Sequence, residues 1–123
     1  MLLVEDEVPL RQVVARNLTS RGVDVREAGT AVEAVQVATC EAPDLLLLDI
    51  NLPDQTGWDV LRELKRRGRD LPTIVVSAVR VNQHRLDEFR PLAYLPKPFP
   101  IDALLRLVLS GPLADRDGSV GDD

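Results

Sequence analysis

Leu45-Leu46-Leu47-Leu48-Asp49-Ile50-Asn51-Leu52-Pro53-Asp54 is the stretch that decides the fold. An apolar run this short, bounded by turn formers, suits a strand buried on both faces of a sheet. Such a strand puts Asp49 at its carboxyl end, the edge where open α/β sheets gather ligands and chemistry. A lone aspartate at that place could equally end a strand or cap the next helix. Its meaning therefore depends on what the rest of the chain brings to the same edge.

The bulk composition narrows the possibilities. The 123 residues are 45% hydrophobic but only 3% aromatic, which predicts one domain with an aliphatic core of Leu, Val, Ile and Ala. A net charge of −5 argues against a nucleic-acid-binding surface. The single cysteine, Cys40, excludes an internal disulfide framework and fits a reducing compartment. Near the end of a helical pattern, Cys40 reads as a small packing residue. Charged residues begin at Glu5, unlike a signal peptide, and no apolar run approaches transmembrane length. The expectation is a cytoplasmic domain with no membrane contact.

Along the chain, short apolar runs alternate with helical patterns. Leu2-Leu3-Val4 reads as a first strand that begins abruptly at the chain start, as a truncated chain would. Pro9 suits the first turn of a helix, whose stripe is Leu10, Val13, Val14 and Leu18 and whose stop is Gly22. Residues Val23 to Arg26 alternate like a half-exposed second strand. Thr30 with Glu33 is a capping-box pattern, predicting a helix through about Cys40. Pro43-Asp44 turns into the leucine strand, and Gly57-Trp58 opens a third helix with Val60, Leu61 and Leu64 inward and Gly68 as its stop. Pro72 to Ser77 is a fourth strand. Leu86 and Phe89 suggest a short fourth helix, Leu92 to Leu95 a fifth strand, and Pro100 a last helix carrying Ile101, Leu104, Leu105 and Val108. Gly111 and Pro112 end that helix.

Five strands alternating with helices predict a doubly wound α/β fold, a five-stranded parallel sheet in three α/β/α layers. Right-handed crossovers leave few topologies, and the flavodoxin-like order 2-1-3-4-5 is the one expected. Residues 1–110 form that domain, and 111–123 read as a polar, disordered tail.

This order sets strand 1 beside strand 3, so Glu5-Asp6-Glu7 converges on Asp49. Two carboxylates about 4 Å apart repel by ~4 kcal/mol at an effective dielectric of about 20, so a gathering of acids needs a cation or a shared proton. Hard carboxylates with no His or Cys beside them favour Mg²⁺ or another oxygen-seeking divalent ion such as Mn²⁺. His84 falls in the fourth connection and reads as structural. Ser77 closes strand 4, where the small Ala78 after it predicts an accessible hydroxyl. Lys97 follows strand 5, fixed between Pro96 and Pro98. A carboxylate, a metal, a hydroxyl and a cation are the parts that phosphoryl transfer needs.

With these motifs assembled, the chain resembles the receiver (phosphoacceptor) domain of two-component response regulators, a CheY-like fold. The resemblance rests on LLVEDE, LLLLDINLPDQTGWDVL, TIVVSA and AYLPKPF, in the family's order over residues 2–99. It implies a signalling switch rather than a conventional enzyme, one that catalyses only its own phosphotransfer and dephosphorylation. Asp49 matches the acceptor of a phosphoryl group from the phosphohistidine of a sensor kinase or phosphotransfer protein. Glu5 and Asp6 match the acidic pair that holds Mg²⁺ with Asp49, and the backbone carbonyl of Asn51 is a further ligand. Lys97 matches the lysine that pairs with phosphoryl oxygens, and the Lys97–Pro98 bond is expected to be cis. Ser77 and Tyr94 match the switch pair that biases a surface formed by helix 4, strand 5 and helix 5, a surface that can also support a homodimer. Output domains or partner proteins are the expected readers of the switch.

Several positions depart from the family pattern, among them Arg90-Pro91-Leu92-Ala93 where Gly-Ala is customary before the fifth strand. Glu5 stands where aspartate is more usual, and Ser77 where threonine is. The interval from Ser77 to Lys97 is shorter than the family's usual one, and Pro91 forbids a helix continuing regularly through that point. A short or displaced helix 4 is therefore expected. Val79, two residues after Ser77, cannot orient an attacking water, which predicts slow loss of the phosphoryl group. Two rivals remain. A haloacid-dehalogenase-type hydrolase would carry a second acid where Asn51 stands. A degenerate receiver would act only as a phosphorylation-independent binding module.

Overall fold

The computed structural model describes residues 1–110, and the expected tail at 111–123, with the helix stop at Gly111-Pro112, lies outside the described residues. Strands and helices alternate: β1 (Leu2–Val4), α1 (Val8–Thr19), β2 (Arg26–Ala28), α2 (Ala31–Glu41), β3 (Leu46–Asp49), α3 (Gly57–Arg66), β4 (Thr73–Ser77), α4 (Gln83–Phe89), β5 (Ala93–Pro96) and α5 (Ile101–Leu109). All strand pairs are parallel, in the order β2-β1-β3-β4-β5. Among the described residues, no helix is long and apolar enough to cross a membrane.

The leucine run explains how the layers form. Successive side chains of a strand point to opposite faces. Leu45 and Leu47 enter a core with Val14 and Leu18 of α1 and Leu104 and Val108 of α5. Leu46 and Leu48 enter the other core, with Ala31, Ala34 and Ala38 of α2 and Val60 and Leu64 of α3. The small alanines let α2 lie close on the sheet. Removing these leucines from water on both faces anchors the strand that carries Asp49.

Several local expectations are corrected. The second strand begins at Arg26, because Val23 is spent closing α1: its amide donates to the Leu18 carbonyl beyond Gly22, whose φ is +85°. Val13 points outward, 46% exposed, and Ala15 takes its place on the buried face of α1. Cys40 is exposed on α2 rather than packed. His84 is likewise exposed, on α4, and joins none of the hydrophobic clusters. Strand β5 starts one residue later than expected, at Ala93.

The fourth helix is short, as the sequence led us to expect. It runs only over Gln83–Phe89, capped by Asn82, whose side chain accepts from the Arg85 amide. Arg90 ends it in a left-handed conformation, φ 48°, immediately before Pro91. Phe89 then packs with Trp58, Ile50, Val75, Val81 and Tyr94 in a small third cluster.

Candidate functional site

Register alone brings the acids together. Val4 pairs with Leu48, so Glu5 and Asp49 are the next residues along two adjacent strands. Glu5, Asp6 and Asp49 each offer a carboxylate oxygen, and these oxygens lie within 4.8 Å of one another. Glu5 is 4% exposed and Asp49 2%, while Asp6 is open to solvent. A carboxylate withdrawn from water needs compensation.

Lys97 supplies part of that compensation. Its Nζ donates to Asp49 Oδ2 at 3.0 Å, to Glu5 Oε2 at 3.1 Å and to Glu7 Oε1 at 3.2 Å. Burial works against the Lys97 ammonium, yet its hydrogen bonds to Glu5 and Asp49 hold its pKa above the usual lysine range. Burial pushes the Glu5 carboxyl up to about 7, a rise that the Lys97 hydrogen bond only partly offsets. One ammonium therefore serves more negative charge than it can balance. The donor set is all oxygen, which suits a hard divalent cation.

Backbone groups fix the remaining geometry. The Asn51 amide donates to Asp49 Oδ1 at 3.0 Å, and the Glu7 amide to Glu5 Oε2 at 3.1 Å. Asn51 and Thr56 face each other across an isolated bridge, and the Gly57 amide donates to the Ile50 carbonyl at 2.8 Å. The loop after β3 is thereby closed at its root. The Lys97–Pro98 bond is cis.

Ser77 lies at the end of β4, one residue past the partner of Asp49. Its hydroxyl is fully buried rather than accessible, because every residue of β4 is covered by β3, β5 and the layers above and below. It accepts from the Val79 amide at 3.1 Å, and Tyr94 Oη donates to the Val79 carbonyl at 3.3 Å. Ser77 and Tyr94 thus meet at the two peptide groups of one residue.

Glu7, exposed and part of the acidic run expected at this edge, joins the cluster through Lys97. Two features escaped the sequence reading. Arg11 of α1 donates to the Glu5 carbonyl at 2.8 Å and to Glu27 Oε1 at 3.2 Å, filling the space above Gly29. Asp54 accepts from the Ala31 and Val32 amides. Periodicity carries no signal for such contacts, since each runs from a polar side chain to a group outside its own element.

The family model of the response regulator receiver domain matches residues 1–109. Over 110 residues the chain is 34% identical to a probable transcriptional regulatory protein, SilR, of Salmonella typhimurium, covering 88% of this chain and 48% of that protein. It is 36% identical over 107 residues to the response regulator MprA of Mycobacterium leprae (strain TN), covering 85% and 47%. The chain thus spans about half the length of the curated relatives it matches. Among solved structures it is similar to a CheY-like receiver domain protein of Methanospirillum hungatei JF-1, with TM-score 0.83, 25% identity and coverage of 95% and 96%. It also resembles the response regulator TrrA of Thermotoga maritima in complex with Mg²⁺-BeF, with TM-score 0.77, 27% identity and coverage of 89% and 95%.

Proposed function

The chain belongs to the response regulator receiver domain family, and on that premise we propose that it is a phosphorylation-dependent switch whose phosphoacceptor is Asp49. The observation that carries this reading is a carboxylate at the end of a central strand, 2% exposed, with two further acids within 4.8 Å and a lysine ammonium 3.0 Å away. The domain comprises residues 1–110.

A phosphohistidine of a sensor kinase or phosphotransfer protein is the proposed donor. A carboxylate oxygen of Asp49 forms a bond to phosphorus as the phosphorus–nitrogen bond breaks, and the electron pair returns to the donor imidazole. Glu5, Asp6, Asp49 and the Asn51 carbonyl are the groups that would hold Mg²⁺ or Mn²⁺. Bound there, the ion neutralises charge on the phosphoryl oxygens. Lys97 starts on Asp49 and Glu5 and is placed to follow the charge onto the transferred group. Ser77 offers its hydroxyl from the neighbouring strand, and doing so means giving up the Val79 amide. Tyr94, bound to the same residue, is positioned to respond. The proposed output is a changed α4–β5–α5 surface, read by an output domain or partner protein.

The test is incubation with Mg²⁺ and acetyl phosphate followed by mass spectrometry. A gain of one phosphoryl group, absent in Asp49→Ala, supports the reading. No gain under saturating donor overturns it in favour of a phosphorylation-independent binding module.

A further inference from the structure

Five residues beyond the proposed phosphoacceptor, at the tip of the β3–α3 loop, Asp54 reaches across to a different helix. Its Oδ1 accepts from the Ala31 amide at 2.8 Å, and its Oδ2 accepts from the Val32 amide at 3.1 Å. These are first-turn donors of α2, which have no partner within the helix. The helix N-terminus favours a negative charge at this point. The Ala31 hydrogen bond, foremost among several, holds the Asp54 carboxyl below the usual aspartate range.

Capping is shared here: α2 has its own cap for the third amide of its first turn, and Asp54 serves the first two from outside the helix. Thr30 Oγ1 accepts from the Glu33 amide at 3.1 Å, and Glu33 Oε1 accepts from the Gly29 amide at 2.8 Å. Asp54 comes from more than twenty residues away and fastens the tip of a loop whose root is held by Gly57 on Ile50 and by the Asn51–Thr56 bridge. Between root and tip lies Leu52, which packs against the α2–α3 core. Asn51 is thus fixed from one side by its bond to Asp49 and from the other by a loop whose tip is fastened to α2.

We propose that Asp54 is a positioning residue for the metal site: by fastening the β3–α3 loop to the first turn of α2, it holds the Asn51 carbonyl where Mg²⁺ is bound. This rests on the reading of Glu5, Asp6, Asp49 and Asn51 as the Mg²⁺ ligands. Residues that orient metal ligands without touching the metal affect affinity directly. Asp54 never touches the reacting atoms.

Calorimetric titration with Mg²⁺ of the parent, Asp54→Ala, Asp54→Asn and Thr30→Ala tests the proposal. Asp54→Ala is expected to weaken Mg²⁺ binding about tenfold, within the range found for orienting residues around metals. Asp54→Asn, which keeps an acceptor oxygen, recovers part of the loss. Thr30→Ala removes a cap from the same helix and lowers the melting temperature, but leaves the loop fastened and the Mg²⁺ affinity near the parent's. Parent-like affinity in Asp54→Ala, or equal weakening in Thr30→Ala, overturns the proposal while the metal site stands. No Mg²⁺ binding by the parent overturns the metal-site reading itself, and this proposal with it.

Discussion

Trp58 of α3 and Phe89 of α4 stack face to face, their ring centroids 5.3 Å apart and their planes 16° from parallel. The Arg62 guanidinium lies over the same Phe89 ring, 5.4 Å from its centroid. A helix as short as α4 has little helical stability of its own, so packing must hold it. The stack supplies that packing, and it joins α4 to a helix that begins eight residues after Asp49.

Phe89→Ala should therefore loosen α4. Loss of the partly buried Phe89 ring from its stack on the buried Trp58 is expected to cost about 1–3 kcal/mol in chemical denaturation. Trp58 is the only tryptophan, so its emission should shift toward that of a solvated indole. Unchanged emission and stability would show that α4 is held elsewhere.

Gly57 leaves no room for a side chain. A Cβ there would lie 2.7 Å from the Asp49 carbonyl oxygen, 2.9 Å from Ile50 Cδ1 and 3.0 Å from Ile50 Cα. Two of these atoms are backbone and cannot step aside. Gly57→Ala should destabilise the fold by about 1–3 kcal/mol, typical of overpacking, and slow phosphoryl uptake from acetyl phosphate by displacing Asp49. Parent-like values in both measurements would refute the contact.

Lys97→Met keeps the apolar stem and removes the charge shared by Glu5, Glu7 and Asp49. Leaving buried carboxylates without their cation should lower stability by about 3 kcal/mol. Added Mg²⁺ should raise the melting temperature of the variant more than that of the parent, because the ion supplies the missing positive charge. Equal Mg²⁺ shifts in the two proteins would count against a shared site.

The acid limb of stability should come from exposed carboxylates that are ion-paired or capping. Hydrogen bonds from Arg66 and Arg67 hold Glu63 down to about 2, against 4.5 when unperturbed. The Thr56 amide and hydroxyl hold Asp59 below its unperturbed 3.8. A depressed carboxylate contributes stability above its unfolded value and loses it as pH falls through the folded one. The Glu63 contribution is thus complete above pH 4.5 and gone below about 2. Urea midpoints of Glu63→Gln should lie slightly below the parent's at neutral pH and converge on them in acid. A constant gap across that range would contradict the assignment.

Val79 is 57% exposed, and its backbone joins Ser77 to Tyr94. Its apolar side chain cannot orient water toward a phosphoryl group on Asp49. Val79→Glu should keep the backbone contacts and shorten the phosphoryl lifetime by about 10²-fold, the low end of a general-base contribution. Equal or slower loss in the variant would sink the idea.

How much was legible in the sequence follows from the range over which each force acts. The leucine run, the capping signals and Pro91 act locally or through period, so the sheet order, the layers and the short α4 could be read from residues alone. Asp49, Glu5, Asp6, Lys97 and Ser77 stood out because each ends or follows a strand, and parallel strands deliver their carboxyl ends to one edge. Val13 and Cys40 were misplaced because both are apolar enough for either side of a helix boundary, and only packing density decides between them. The accessibility of the Ser77 hydroxyl was likewise set by the covering layers and not by the small neighbour Ala78. The Trp58–Phe89 stack, the Arg11 contact with Glu5 and the hold of Asp54 on α2 were decided by the tertiary structure alone. Each is a side chain meeting a different element of the fold, a matter of angle and reach that no periodicity encodes. The sequence by itself determined which groups share the Asp49 edge, and the folded chain decided how firmly each is held there.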